Sequence, residues 1–386
     1  MNFGFLCNEM PPAPAGGIGT FTTELVRGLT ELGHGVHVIS VDKQVNSNVS
    51  EIISPGLAIH RIPGKPGPLH GCLTRFQVYL LIRKLAAHKQ IDVVEIPDFE
   101  GWCAGWGELT VPVIVRLHGS ASYFGAEMNN PAPPPVRFLE RLAVRRADHV
   151  VSVSRYTMDR SEEVFGFPLS ATVIHNSVVL PAADQVKADF AGRDLVCFSG
   201  TLVEKKGVFS LAQAWSLVKQ RRPNARLMLI GKDGGHCGRP AIQVIRELAG
   251  NYADSIDCLG HRPKAEVEAL LATADIAVYP SYSETFALAP MEAMALCVPT
   301  IYTTRASGPE LIRHGIDGWL CDPGNINDLA SQIVTLLESE SLRRQLGEAG
   351  RRRIIDSCSY SAFLQKNLNF YRRCTGQSHL CAGTAN

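Results

Sequence analysis

The chain has 386 residues, 45% of them hydrophobic and 19% charged, which is the make-up of a globular protein of two or three ordinary domains. Thirty-eight basic residues nearly balance 37 acidic ones, so no global field draws the chain to nucleic acid or to lipid. The opening MNFGFLCNEM has neither a basic stretch nor a long apolar core and does not read as a signal peptide; nor does any apolar run reach the roughly 18 residues that span a bilayer. The 11 cysteines include no C-x-x-C pair, and that odd, unclustered set favours small buried thiols in a reducing cytosol over a disulfide framework or a metal site.

In chain order, residues 2–7 form a short apolar run, residues 20–32 repeat Phe21, Leu25, Leu29 and Leu32 at helical spacing, and 36–40 is a second β-rich run after Gly33. This strand–helix–strand opening implies a parallel sheet. Further apolar runs at 92–96, 113–117, 149–153 and 172–174 alternate with helical patterns such as 73–88 and 136–146. The polar, proline-containing stretch 181–194 reads as a linker. Beyond it the alternation restarts: strand 195–199, helix 208–220, strand 226–230, helix 242–249, strand 256–259, helix 264–272, strand 276–279, a helix from Pro290 and strand 300–302. Helices dominate from 328 to 373, and 376–386 is a small, polar tail. The fold class is therefore α/β, with two Rossmann-like domains (1–180 and 181–358) expected to face one another across a cleft. Ligands of such sheets sit outside the carboxyl ends of the strands, so the loops after strands are where chemistry is sought.

The most informative loop follows the strand at 276–279. Pro290 suits the first turn of a helix, which puts Ala289 at the N-cap, Glu292 near the third helical position and Glu284 in the preceding loop. Each carboxylate has an ordinary reading: Glu292 as a partner of the helix dipole, Glu284 as a solvated loop residue. Together, Glu284-Thr285-Phe286-Ala287-Leu288-Ala289-Pro290-Met291-Glu292-Ala293-Met294-Ala295 resembles the E-x7-E signature of the family-4 retaining glycosyltransferases with the GT-B fold. That resemblance implies that Glu284 faces hydroxyls of the transferred sugar and that Glu292 accepts from the nucleotide ribose. It also implies that backbone amides at Phe286, Ala287 and Leu288 meet the sugar or diphosphate. Two glycines usual in the family are replaced, by Thr285 and Ala287.

Gly200-Thr201-Leu202-Val203-Glu204-Lys205-Lys206-Gly207, between a strand and a helix, resembles the family's G-R-L-x-x-x-K-G loop, whose arginine and lysine hold the donor diphosphate. Lys206 matches the lysine; Thr201 stands in place of the arginine, and Lys205 is a candidate to compensate. A cation beside a helix start is disfavoured by the dipole, which itself points to an anion nearby. Gly16 and Gly17, after the prolines at 11, 12 and 14, resemble the family's first loop beside the donor phosphates; the spacing is not that of a dinucleotide-binding G-x-G-x-x-G. His118, at the end of the strand 113–117, resembles a family histidine near the reacting sugar. Glu310, in Ser307-Gly308-Pro309-Glu310, resembles the family's G-x-P-E, and His261 and Arg262 fall in the expected nucleobase region. Asp98, Glu100 and Trp102 read as ordinary loop residues near an acceptor side.

The resemblance implies transfer of a sugar from a UDP- or GDP-linked donor to an acceptor hydroxyl with retention. No metal or other cofactor is expected, and no D-x-D motif is present. Glu284, Lys206 and His118 are the catalytic candidates, and residues 359–375 are expected to form a helix returning to the first domain. The acceptor class stays open among a glycan, a lipid-linked sugar and a small molecule, and the oligomeric state is not readable. A nucleotide-sugar epimerase, a phosphorylase-like enzyme and a non-catalytic sugar-nucleotide-binding subunit are the rival readings. Arg137, Arg141, Arg145 and Arg146, with Phe138 and Leu142, form a basic helical segment. It reads first as a solvated face and second as a weak peripheral contact with the inner membrane face.

Overall fold

The computed structural model describes residues 1–10, 16–64 and 68–376; the proline loop 11–15 and the tail from 377 lie outside the described residues. The chain forms two compact units, Met1–His175 together with the chain from Ser361, and Asn176–Tyr360.

The first unit contains β1 (Asn2–Leu6), α1 (Gly17–Glu31), β2 (Gly35–Asp42), β3 (Val49–Ser54), β4 (Leu57–Pro63), α2 (Pro68–Ala87), β5 (Val93–Pro97), β6 (Val113–Leu117), α3 (Ala121–Glu127), α4 (Pro134–Arg146), β7 (His149–Ser152), α5 (Arg155–Phe165) and β8 (Ala171–Val173). Its eight strands lie in the order β3-β4-β2-β1-β5-β6-β7-β8, all parallel except the edge strand β3, which is antiparallel to β4. The chain order reverses between β1 and β5, so the loops after those two strands diverge and leave a crevice at the sheet's carboxyl edge. Apolar residues at helical spacing bury the inner faces: Leu25 and Leu29 on α1, Val78, Ile82 and Leu85 on α2.

The second unit contains β9 (Leu195–Ser199), α6 (Val208–Arg221), β10 (Arg226–Ile230), α7 (Ala241–Ala249), β11 (Ile256–Gly260), α8 (Lys264–Thr273), β12 (Ile276–Tyr279), α9 (Leu288–Ala295), β13 (Thr300–Thr303), α10 (Gly308–Leu311), β14 (Trp319–Cys321), α11 (Ile326–Glu338) and α12 (Glu340–Ser357). The sheet is β11-β10-β9-β12-β13-β14, wholly parallel, and reverses between β9 and β12. The final helix, α13 (Tyr360–Cys374), packs in the first unit: Phe363 stands edge-on to Phe21 at 5.5 Å and Tyr371 lies 5.1 Å from Phe3.

The structure corrects one expectation and adds one element that the sequence does not predict. Residues 181–194 are not a free linker: Phe190 is buried and its carbonyl accepts from Arg343 Nε and Nη2 at 3.2 and 2.6 Å, while Lys187 N donates to Leu296 O. The few apolar side chains in that polar run are enough to seat it on the second unit. Asn176 is the first residue of the second unit, and its side-chain amide donates to Phe286 O at 2.8 Å. The β3–β4 hairpin, turned at Pro55-Gly56, is not expected from the sequence; β3 is solvated on both faces, so no period-2 pattern marks it.

One buried polar network ties α13 to the sheet. Arg116 on β6 is fully buried and forks onto Glu95 of β5, with Nε to Oε1 at 2.7 Å and Nη2 to Oε2 at 2.8 Å. Arg116 Nη2 also donates to Asn367 Oδ1 at 2.7 Å, and the Tyr371 hydroxyl donates to Glu95 Oε2 at 2.8 Å. Removing one member leaves a buried charge without its counter-ion. Arg116→Met is therefore expected to lower the denaturant stability of this unit by about 3–5 kcal/mol, and a loss below about 1 kcal/mol would contradict the network's role.

Candidate functional site

In the second unit the loops after β9 and β12, the strands flanking the reversal, are brought together. The first runs from Gly200 through a 3-10 turn, Glu204–Lys206, to Gly207. Gly207 has φ +70°, and a Cβ there would lie 1.7 Å from Pro280 O, so only glycine lets this loop approach the next one. The approach is then stitched: Lys205 O accepts from Tyr282 N at 2.8 Å and Ser283 N at 3.3 Å. Lys206 Nζ donates to Glu284 Oε1 at 2.6 Å, and Ser281 Oγ donates to the same oxygen at 3.0 Å. Glu284 is buried, whereas Lys206 keeps part of its side chain in solvent. Burial, with Lys206 beside it, holds the Lys205 ammonium pKa below its ordinary value. Thr201, in the place of the usual arginine, is exposed.

The helix start differs from expectation. α9 begins at Leu288 with Ala287 at the N-cap, rather than at Pro290 with Ala289 as cap. Counting from Leu288, Pro290 is third and Glu292 fifth. A proline is tolerated throughout the first turn, whose amides have no intrahelical acceptor, so its presence does not mark the first residue. The N-cap residue supplies no side-chain hydrogen bond to those amides. Glu292 Oε1 stands 3.9 Å from Lys264 Nζ of α8. Phe286 is buried, and Ala287 and Leu288 are half-buried.

The other candidates are dispersed around the same sheet edge. Glu310 lies in the single turn of α10, after β13; its carbonyl accepts from Arg353 Nη2 at 3.0 Å. His261 and Arg262 are exposed beyond the edge strand β11, where Arg262 Nε donates to Leu259 O at 3.1 Å. Among the described residues, no group of three His, Cys, Asp or Glu side chains stands close enough to hold a metal ion.

Two family models match the chain: Glycosyltransferase Family 4 over residues 15–180 and Glycosyl transferases group 1 over residues 182–353. The chain belongs to the family-4 glycosyltransferases. An uncharacterized glycosyltransferase of Methanocaldococcus jannaschii is 26% identical over 87% of this chain and 89% of its own length. The N-acetyl-alpha-D-glucosaminyl L-malate synthase of Bacillus anthracis is 25% identical over 88% and 90%. Among solved structures, the sucrose-phosphate synthase of Thermosynechococcus elongatus superposes with a TM-score of 0.81 at 19% identity, covering 98% of this chain and all of that one. HepE of Anabaena, solved with UDP and glucose, has a TM-score of 0.73 at 17% identity over 96% and 99%. The fold of the transferase is thus GT-B.

In the first unit of the transferase, His118 follows β6, with its ring edge-on to Phe21 at 4.7 Å. Burial, and secondarily the Arg116 cation, hold the imidazole pKa well below its ordinary value, so the ring is neutral at pH 7. Asp98, after β5, is fully buried, although its sequence context reads as an ordinary loop. It orients this turn: its oxygens accept from His118 N at 2.9 Å and Gly119 N at 3.2 Å. Gly16 is exposed and Gly17 opens α1, but the amides of Gly16 and Gly19 donate to Glu9 Oε2 at 2.9 and 2.7 Å. The carboxylate of Glu9 thus holds the helix start where the sequence suggests a phosphate. Sequence reasoning misses Glu9, and also Tyr282, whose hydroxyl pairs with Ser210 Oγ at 2.9 Å and donates to Pro323 O at 3.1 Å. No capping pattern marks Glu9, because it precedes the N-cap Gly16 by seven residues and lies outside the helix's first turn.

Burial, with a smaller push from the nearby Glu140, outweighs the lowering by the two amides and raises the Asp98 pKa to about 7. Between pH 4 and 7 the folded chain therefore binds this proton more tightly than the unfolded one, and the contribution of Asp98 to stability is lost as pH rises. Asp98→Asn removes that contribution. Urea denaturation across this range should find the variant gaining on wild type by up to about 1.4 kcal/mol per pH unit, with no further change above pH 7. A pH-independent difference would mean that Asp98 titrates normally.

Proposed function

We propose that the transferase moves a hexose from a nucleoside diphosphate to an acceptor hydroxyl with retention of anomeric configuration and without a metal. The observation that carries this reading is the Lys206–Glu284 pair, 2.6 Å apart, at the reversal of the second sheet beside the N-terminus of α9. The energetic task is to stabilise a leaving diphosphate and an oxocarbenium-like sugar. The Lys206 ammonium and the first-turn amides of α9 supply fixed positive charge for the diphosphate. Glu284, held by Lys206 and Ser281, presents a charged acceptor to the sugar hydroxyls and so orients the ring. Glu292 accepts from the ribose, and the backbone at Gly200, Thr201, Phe286, Ala287 and Leu288 surrounds the diphosphate and sugar. His261 and Arg262 border the base, while Glu310 borders the donor. His118, neutral at pH 7, is a hydrogen-bonding group rather than a cation near the transferred sugar.

Double displacement would need a carboxylate nucleophile beneath the anomeric carbon. Glu284 is instead committed to a cation and a hydroxyl, which favours departure and attack on one face. HepE was solved with UDP and glucose, which makes UDP-hexoses the first donors to test. The free cysteines among the described residues fit a reducing, cytoplasmic setting.

A ligand that binds only the folded chain raises its melting temperature, by about 2.7 kcal/mol of stabilisation at a hundredfold excess over Kd. In a melting screen of UDP, GDP, ADP and their hexose conjugates, one base is expected to stand out, with the diphosphate and the sugar conjugate both active. If none shifts the melting transition, the donor reading is wrong.

A further inference from the structure

Five of the large apolar side chains that the structure leaves in solvent belong to one region of the first unit: Leu73 (52% exposed), Phe76 (56%) and Leu80 (37%) on α2, Phe99 (40%) after β5, and Phe138 (65%) on α4. Leu73, Phe76 and Leu80 recur at helical spacing and form one outward stripe, opposite the buried Val78, Ile82 and Leu85. On α4, Phe138, Arg141 and Arg145 are likewise outward, opposite the buried Ala143 and Val144. Both helices share one core with Trp102 and Trp106, so they lie on the same side of the sheet and their outer faces look the same way.

The charge on these faces has one sign. The sequence of α2 carries Arg75, Arg83 and Lys84 and no acid. That of α4 carries Arg137, Arg141, Arg145 and Arg146 and a single acid, Glu140, which is fully buried and accepts from Ala121 N, Ser122 N and Glu100 N. Arg75 turns inward to the carbonyls of Glu100 and Gly101, whereas Arg83, Lys84, Arg137, Arg141 and Arg145 face outward. The acids that follow α2 and α4 most closely along the chain, Asp92 and Asp148, lie outside both helices and accept from Asn2 N and Val113 N. In a chain of net charge +1 this is a local concentration of cations. A solvated basic face would carry no stripe of exposed Leu and Phe. The side chains stand on convex helix surfaces, and apolar tips ringed by long basic stems match the layered chemistry of a bilayer surface.

We propose that the outer faces of α2 and α4 dock on an anionic bilayer, so that the cavity walled by the inner sides of these helices receives an acceptor carried by the membrane. That cavity, of about 660 Å³, is lined by Thr74 and Arg75 of α2, Phe99 and Trp102 after β5, and Val136 and Leu139 of α4. Phe99 belongs both to the cavity wall and to the exposed set. The acceptor class this implies is an amphiphile with an apolar anchor and a sugar or polyol head. The acceptor half rests on the glycosyl-transfer reading; the docking half does not.

Flotation of the full chain with vesicles of phosphatidylcholine alone, and of phosphatidylcholine mixed with phosphatidylglycerol, tests it. The transferase is expected to float with the anionic vesicles only, less so as salt rises. Each basic side chain near such a surface contributes about fivefold in binding. The triple variant Arg137→Gln, Arg141→Gln, Arg145→Gln should therefore bind on the order of a hundredfold more weakly. Phe138→Ser should weaken binding even at low salt. Both variants are checked for the circular dichroism spectrum and melting transition of the wild type, which shows that they fold whether or not a nucleotide binds. No flotation with anionic vesicles, or flotation that neither variant reduces, overturns the proposal and leaves the donor reading untouched. Capture by a soluble acidic protein in preference to vesicles would overturn it as well.

Discussion

The close approach of the backbone at Gly207 to the carbonyl of Pro280 is the constraint on which the second unit's site depends. With a would-be Cβ only 1.7 Å from Pro280 O, any side chain at 207 would drive apart the loops after β9 and β12. Those loops must touch for Lys205 O to receive two amides from the β12 loop and for Lys206 to reach Glu284. The contact sits where the sheet order reverses, the place at which neighbouring loops otherwise diverge. One backbone contact without a side chain thus converts a generic crevice into a site with a fixed cation–carboxylate pair.

The first unit solves a related problem with buried charge. Glu95 and Arg116 face each other across β5 and β6, and α13 supplies Asn367 and Tyr371 to complete their hydrogen bonds. The residues next in line, Asp98 and His118, stand at the carboxyl ends of the same two strands, where Asp98 accepts from His118 N. Structural polarity and candidate chemistry are here near neighbours along the same strands. Beside burial, the Arg116 cation also helps to lower the His118 pKa, so removing it changes that ring's electrostatics as well as stability.

Much of this is legible in the amino-acid sequence. The alternation of apolar runs with helical patterns yields both parallel sheets, because strands buried on two faces are continuous apolar runs. Glu284, Glu292 and Lys206 stand out because each follows such a run at a spacing that resembles a known signature. What escapes has physical reasons. The strand β3 buries neither face, and the segment 181–194 hides Phe190 among polar residues. The start of α9 is displaced because proline is tolerated across a whole first turn. Glu9 and Asp98 act through backbone amides, a role that leaves no periodic trace, and only the fold shows Asp98 as fully buried.

The central claim is that the Lys206–Glu284 crossing belongs to a nucleoside diphosphate site. Calorimetric titration of the wild type and of Lys206→Ala with the nucleoside diphosphate that the melting screen selects tests it most directly. A charge-assisted hydrogen bond to phosphate contributes about 1.5–3 kcal/mol, so the variant should bind roughly 10- to 150-fold more weakly while its fold, read by circular dichroism, is kept. Equal affinity in the two proteins would remove Lys206 from the site and, with it, the diphosphate role of the crossing.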